Sequence, residues 1–137
     1  MNNMIFTDGN LMEAVKDLNA LMQPGYINLD YTDIYVNDGI AAVTSASASG
    51  ETRMADVFNK IRNSTVWEDF DLNASEKVLI KILCAKDSTH PVTAEEMPVI
   101  VEFTSGLPSP VDVKWSIGND PSLGESVKAI VFAVGQR

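Results

Sequence analysis

Asn28, Asp30 and Asp33 are the residues whose types and spacing suit chemistry best. They stand in the run Pro24-Gly25-Tyr26-Ile27-Asn28-Leu29-Asp30-Tyr31-Thr32-Asp33. Carboxylates three positions apart on an incipient helical turn face the same way and could hold a water or a cation. Two such charges about 5 Å apart repel by about 3 kcal/mol at an effective dielectric of about 20, and facing a triphosphate would be worse. The turn could therefore work on a nucleotide only with Mg²⁺ or another cation between the charges, or through a water that the carboxylates orient as nucleophile. Without chemistry, the same residues after Pro24-Gly25 make a turn and cap a short helix. The two readings are compatible.

Other chemistry finds less support. His90 is the single histidine and Cys84 the single cysteine, so no set of imidazoles and thiols stands at zinc-ligand spacing. Cys84 closes the apolar run Val78-Leu79-Ile80-Lys81-Ile82-Leu83-Cys84, where a buried, inert thiol is expected rather than a nucleophile paired with His90. Neither Gly-x-x-x-x-Gly-Lys-Ser/Thr nor Gly-x-Gly-x-x-Gly occurs, so the chain has no phosphate-cradling loop of those types. A net charge of -9 makes nucleic acid and anionic membrane poor partners, because such binding draws on Lys and Arg. No apolar run reaches the length of about eighteen residues that a membrane helix needs, and no basic or long apolar leader opens the chain. A cytoplasmic location is expected.

The elements that must hold the acidic turn follow from periodicity. Asn10 can cap a helix carrying Leu11, Ala14, Val15, Leu18, Leu21 and Met22 on one side, which Pro24-Gly25 ends. Residues 40–46 are small and β-branched and predict a closely packed strand, and the Ala/Ser run through residue 49 reads as tight packing rather than a tether. Met54, Val57, Phe58 and Ile61 form the stripe of a second helix running to about Asn63, after which Trp67, Phe70 and Leu72 cross the surface in a loop. Residues 77–85 are almost continuously apolar, as a strand covered on both faces must be. Thr93 and Glu96 form a capping box before Met97, Ile100, Val101 and Phe103, predicting a third helix that stops before Gly106. Two strands remain, at 111–117 and 129–134; in the first, Val, Val, Trp and Ile point inward against outward Asp, Lys and Ser. The expected fold is α+β, an α/β two-layer arrangement with a four-stranded mixed sheet packed against helices. Residues 1–137 form a single domain, in which 10–23 are the leading helix and 24–137 the domain proper.

The residues of the acidic turn also carry a family resemblance. The run from Pro24 to Asp33 resembles the synergy loop of FtsZ, a Pro-Gly-x-Ile-Asn-x-Asp-Phe-x-Asp pattern. Ala48-Ser49-Gly50-Glu51-Thr52-Arg53 resembles the Ala-Ser-Gly-Glu-Asp-Arg opening of the next FtsZ helix, and Glu68-Asp69-Phe70-Asp71-Leu72 its Glu-Asp-Ile-Asp-Leu. Residues 78–82 and 131–135 fall where the family has core strands, so the resemblance spans roughly residues 11–135. The segment between Asp33 and Ala48 is a few residues shorter than in FtsZ, and holds Asn37-Asp38-Gly39 where the family continues its helix.

The resemblance implies the C-terminal domain of the FtsZ/tubulin family without the N-terminal GTPase domain, whose glycine-rich phosphate loop is absent. It implies a bacterial, cytoplasmic cell-division protein in which residues 11–22 are the end of a long central helix. Subunits of that family stack head to tail, and the loop of one reaches the nucleotide of its neighbour. Asn28, Asp30 and Asp33 would then act in trans on GTP and Mg²⁺ held by an FtsZ-type partner subunit, regulating polymerisation and hydrolysis. The chain alone would bind no cofactor or metal and would not be an enzyme. Two other readings stand beside this one: a self-associating structural domain in which Asp30 and Asp33 only cap a turn, and a fragment of a full-length cell-division GTPase.

Overall fold

The computed structural model describes residues 4–8, 11–21, 39–85, 91–108 and 111–136. Among these residues eight α-helices and strands follow one another: β1 Met4–Thr7, α1 Leu11–Leu21, β2 Gly39–Ser49, α2 Arg53–Arg62, β3 Lys77–Cys84, α3 Met97–Ser105, β4 Asp112–Asn119 and β5 Ser126–Gln136. The strands form one sheet in the order β1-β2-β5-β3-β4. β1 is parallel to β2 and β3 to β4, whereas β5 runs antiparallel to both of its neighbours, β2 and β3.

The mixed sheet and its helices agree with the sequence reading, with two corrections among the described residues: the sheet has five strands rather than four, and helices cover both of its faces, so the layers number three rather than two. The added strand, β1, is four residues long and pairs in parallel with 40–43 of β2. A parallel neighbour is reached by a long crossover and leaves no hairpin turn in the sequence, so nothing local announces β1.

Side chains alternate between the two faces of the sheet. On the first face Ala42, Val78, Ile80, Ile82, Cys84, Val127, Ala129, Val131 and Ala133 meet Met54, Val57, Phe58 and Ile61 of α2 and Ile100 and Phe103 of α3. The Phe58 and Phe103 rings lie 4.8 Å apart between the two helices. The segment after α2 is more ordered than a surface loop. It forms short 3₁₀ turns at Thr65–Glu68 and Leu72–Ala74, buries Val66 and Phe70, and ties Trp67 down by donation from its indole Nε1 to the Ile61 carbonyl at 2.7 Å.

On the second face Ala41, Val43, Leu79, Leu83, Ile130 and Phe132 form a smaller cluster against which Ala20 of α1 packs. β3 is buried from Val78 to Cys84, as its composition predicts. The charged Lys81 within it is nonetheless fully buried, its side chain pointing with Leu79 and Leu83. Gly118 makes the room: a Cβ there would sit 2.8 Å from Lys81 Cε and 3.1 Å from Leu83 Cδ2. Ser116, expected to face outward, is buried too, because the second half of β4 is covered on both sides.

Candidate functional site

Asn28, Asp30 and Asp33 lie outside the described residues, as does His90. The structure describes the elements on either side of the acidic turn, α1 before it and β2 after it. α1 rests on the second face of the sheet against β2, β5 and β3. Asp17 of α1 is buried and receives Lys128 Nζ of β5 at 3.0 Å, a cross-link that fixes the helix over the sheet. On the other side of the turn, β2 is clamped between β1 and β5 from its first residues.

A second polar tie joins the end of β1 to β2. The Asp8 carboxylate accepts from Thr44 Oγ1 at 2.7 Å and from Ser64 Oγ, so one carboxylate joins the end of β1, the middle of β2 and the turn after α2. Ser64 also accepts from the Val66 N–H and so caps the 3₁₀ turn that follows.

Opposite these lies an ion pair that the sequence did not reveal as a site. Arg53, at the start of α2, is 6% exposed and donates from Nε to Glu96 Oε2 at 2.7 Å and from Nη2 to Oε1 at 2.8 Å. Two more of its donors reach the carbonyls of Glu125 and Pro91, each at 3.0 Å. One planar guanidinium therefore joins the first turn of α2, the approach to α3 and the loop before β5. The hydrogen bond from Arg53 holds the Glu96 carboxyl below its usual range, against a burial that pushes it up, and the Thr93 N–H adds to the lowering. The same bond raises Arg53 further above its ordinary value. The capping box is thus only half formed: Glu96 takes the Thr93 N–H but spends its charge on Arg53, and α3 starts at Met97 rather than at Thr93. Arg53 was visible only as the last residue of a motif, because its partner is 43 positions away.

Cys84 is buried and free, with Sγ 4.0 Å from the Gly118 carbonyl, a setting for a structural thiol. Among the described residues no group of three His, Cys, Asp or Glu side chains could hold a metal ion, and no helix is long and apolar enough to cross a membrane.

A mixed sheet with α1 on one face and α2 and α3 on the other defines an FtsZ-like fold. An empty FtsZ dimer from M. jannaschii superposes with a TM-score of 0.72 at 25% identity, covering 91% of this chain and 36% of that one. In sequence, the cell division protein FtsZ of Porphyromonas gingivalis is 29% identical over 118 residues, 84% of this chain and 25% of the relative. FtsZ 1 of Pyrococcus woesei is 29% identical over 133 residues, 93% of this chain and 35% of the relative. No protein-family model matches. The chain is an FtsZ-like domain, and it spans between a quarter and about a third of the length of these curated relatives, which fits the C-terminal FtsZ domain that its motifs resemble. With archaeal relatives among them, the resemblance does not single out bacteria.

Proposed function

We propose that this domain presents the turn bearing Asn28, Asp30 and Asp33 to the GTP site of a neighbouring FtsZ-type subunit and regulates polymerisation and GTP hydrolysis in trans. The observation that carries the reading is the FtsZ match in sequence and fold over most of the chain, joined to an acidic turn that departs from the family pattern in few positions. GTP and Mg²⁺ belong to the partner subunit in this account. The two carboxylates orient the attacking water and Asn28 contacts the nucleotide, because positioning and electrostatics supply most of what phosphoryl transfer needs from a protein. The setting is the cytoplasm, where FtsZ-type filaments assemble.

These 137 residues hold no glycine-rich phosphate loop, so as a unit they complete one hydrolytic site and offer none of their own to the next subunit. Supplied by themselves, they would act at filament ends, as a cap. Adding the chain to a polymerising FtsZ tests this through light scattering and phosphate release. Shorter assembly at substoichiometric amounts is the expected result, and unchanged scattering and release at a tenfold excess would discard the reading.

A further inference from the structure

β1 pairs with only 40–43 of β2, while β2 runs on to Ser49 with β5 along its other side. Residues 44–49 therefore carry an edge with no strand beside it among the described residues, bounded by the end of β1 and by Gly50, whose positive φ of 99° turns the chain into α2. Ser47 and Ser49 are exposed, and an open groove of about 670 Å³ runs between this edge and Asp56, Asn59 and Lys60 of α2. Lys60 Nζ donates to the Ser47 carbonyl at 2.8 Å, which turns that carbonyl to the open side. In a strand the residues two positions away point their backbone groups the same way, so Ser45 and Ser49 present theirs to the same side as Ser47. The molecule already adds one strand to this edge, β1 itself.

We infer that residues 45–49 pair, antiparallel and about a two-fold axis through Ser47, with the same residues of a second copy. The sequence of the window is its own reverse, Ser-Ala-Ser-Ala-Ser, so Ser45 meets Ser49, Ala46 meets Ala48 and Ser47 meets itself. An isologous interface requires such self-complementarity, and a foreign strand would not. Three pairs in register form about six backbone hydrogen bonds, and the small side chains let the backbones approach on both faces. Lys60 acts as the gate. It occupies the central carbonyl, and two copies of it meet across the axis, so the pairing is weak until Lys60 gives way. The pairing draws on neither the acidic residues nor a partner GTPase.

Cysteine trapping at two neighbouring positions tests the register. Self-paired residues at the axis have Cα atoms about 5.5 Å apart, within disulfide reach, whereas Ser49 and its own copy are roughly 13 Å apart. Because Cys84 is buried, Ser47→Cys introduces the accessible thiol. Under mild oxidation Ser47→Cys should form at least tenfold more disulfide dimer than Ser49→Cys, and Lys60→Ala should raise the dimer fraction in sedimentation. Ser47→Pro removes an N–H that the ladder to β5 does not use, so it should abolish the dimer with melting unchanged. Equal trapping at 47 and 49, a Ser47→Pro protein that still dimerises, or a monomer with Lys60 replaced would each overturn the inference. So would an edge that gains hydrogen-exchange protection only when a different protein is added.

Discussion

The two faces of the sheet are built differently. The face under α2 and α3 buries eighteen clustered apolar residues, and the face under α1 six, among the described residues. On the first face β3 and β5 contribute Val, Ile and Ala up to Cys84, β2 sets the buried, hydrogen-bonded Thr44 between Ala42 and Ala46, and aromatic rings fill the space between helices. The second face interrupts its apolar row with the buried Lys81 and Ser116 and closes with the Lys128–Asp17 pair. The contrast teaches where stability and adaptability lie: burial of apolar surface on the first face drives folding, while polar groups on the second cost desolvation and return specificity of arrangement. The acidic turn follows the helix of the second face.

Truncation should fall hardest on the first face. Phe58→Ala removes a fully buried ring packed at a tilt against Phe103 and should cost about 3–5 kcal/mol in urea unfolding. A loss under 1 kcal/mol would mean that the helices do not depend on this core. Arg53→Met tests the tie that holds the same layer together at one end. It takes the guanidinium away from two carbonyls and from the partly buried Glu96 carboxylate, which among the described residues keeps only Thr93 as donor, for an expected loss of about 3 kcal/mol.

The Arg53–Glu96 pair also predicts a pH dependence. Glu96 titrates below its ordinary value of 4.5, so its contribution is fully present above that value and is lost as pH falls through the lower folded one. Glu96→Gln should flatten this acid limb of the stability curve while leaving a neutral acceptor for Arg53. A limb of unchanged steepness in the variant would assign the loss to other carboxylates. The smallest effect belongs to the second face. Among the described residues Ser116 Oγ is buried with no hydrogen-bond partner, so Ser116→Ala should be neutral or stabilising by up to about 1 kcal/mol, read as a shift of the urea midpoint.

Much of this organisation is legible in the sequence, and the reasons differ by element. The stripe Met54, Val57, Phe58 and Ile61 and the apolar run of β3 report their surroundings directly, because helical and strand periods are local properties. β1 is not legible: four residues give too short a pattern, and its partner lies beyond α1. Ser116 read as an outward residue, since alternation alone does not say that both sides of a strand are covered, whereas Lys81 stood inside a run already read as covered on both faces. Glu96 was legible as a cap and illegible as the partner of Arg53, a pairing made by the fold rather than by spacing. For the acidic turn the sequence carries the whole case, through the spacing of Asp30 and Asp33 and the motif around them.

The most direct measurement is the GTP turnover of a polymerising FtsZ supplemented with the wild-type chain or with the Asp30→Ala, Asp33→Ala double variant. With equal folding of the two chains shown by circular dichroism, the wild type should change the rate of phosphate release. The double variant should lose that effect by at least tenfold while still associating with filament ends. Identical rates for the two chains would contradict a role for the acidic turn at a partner's nucleotide.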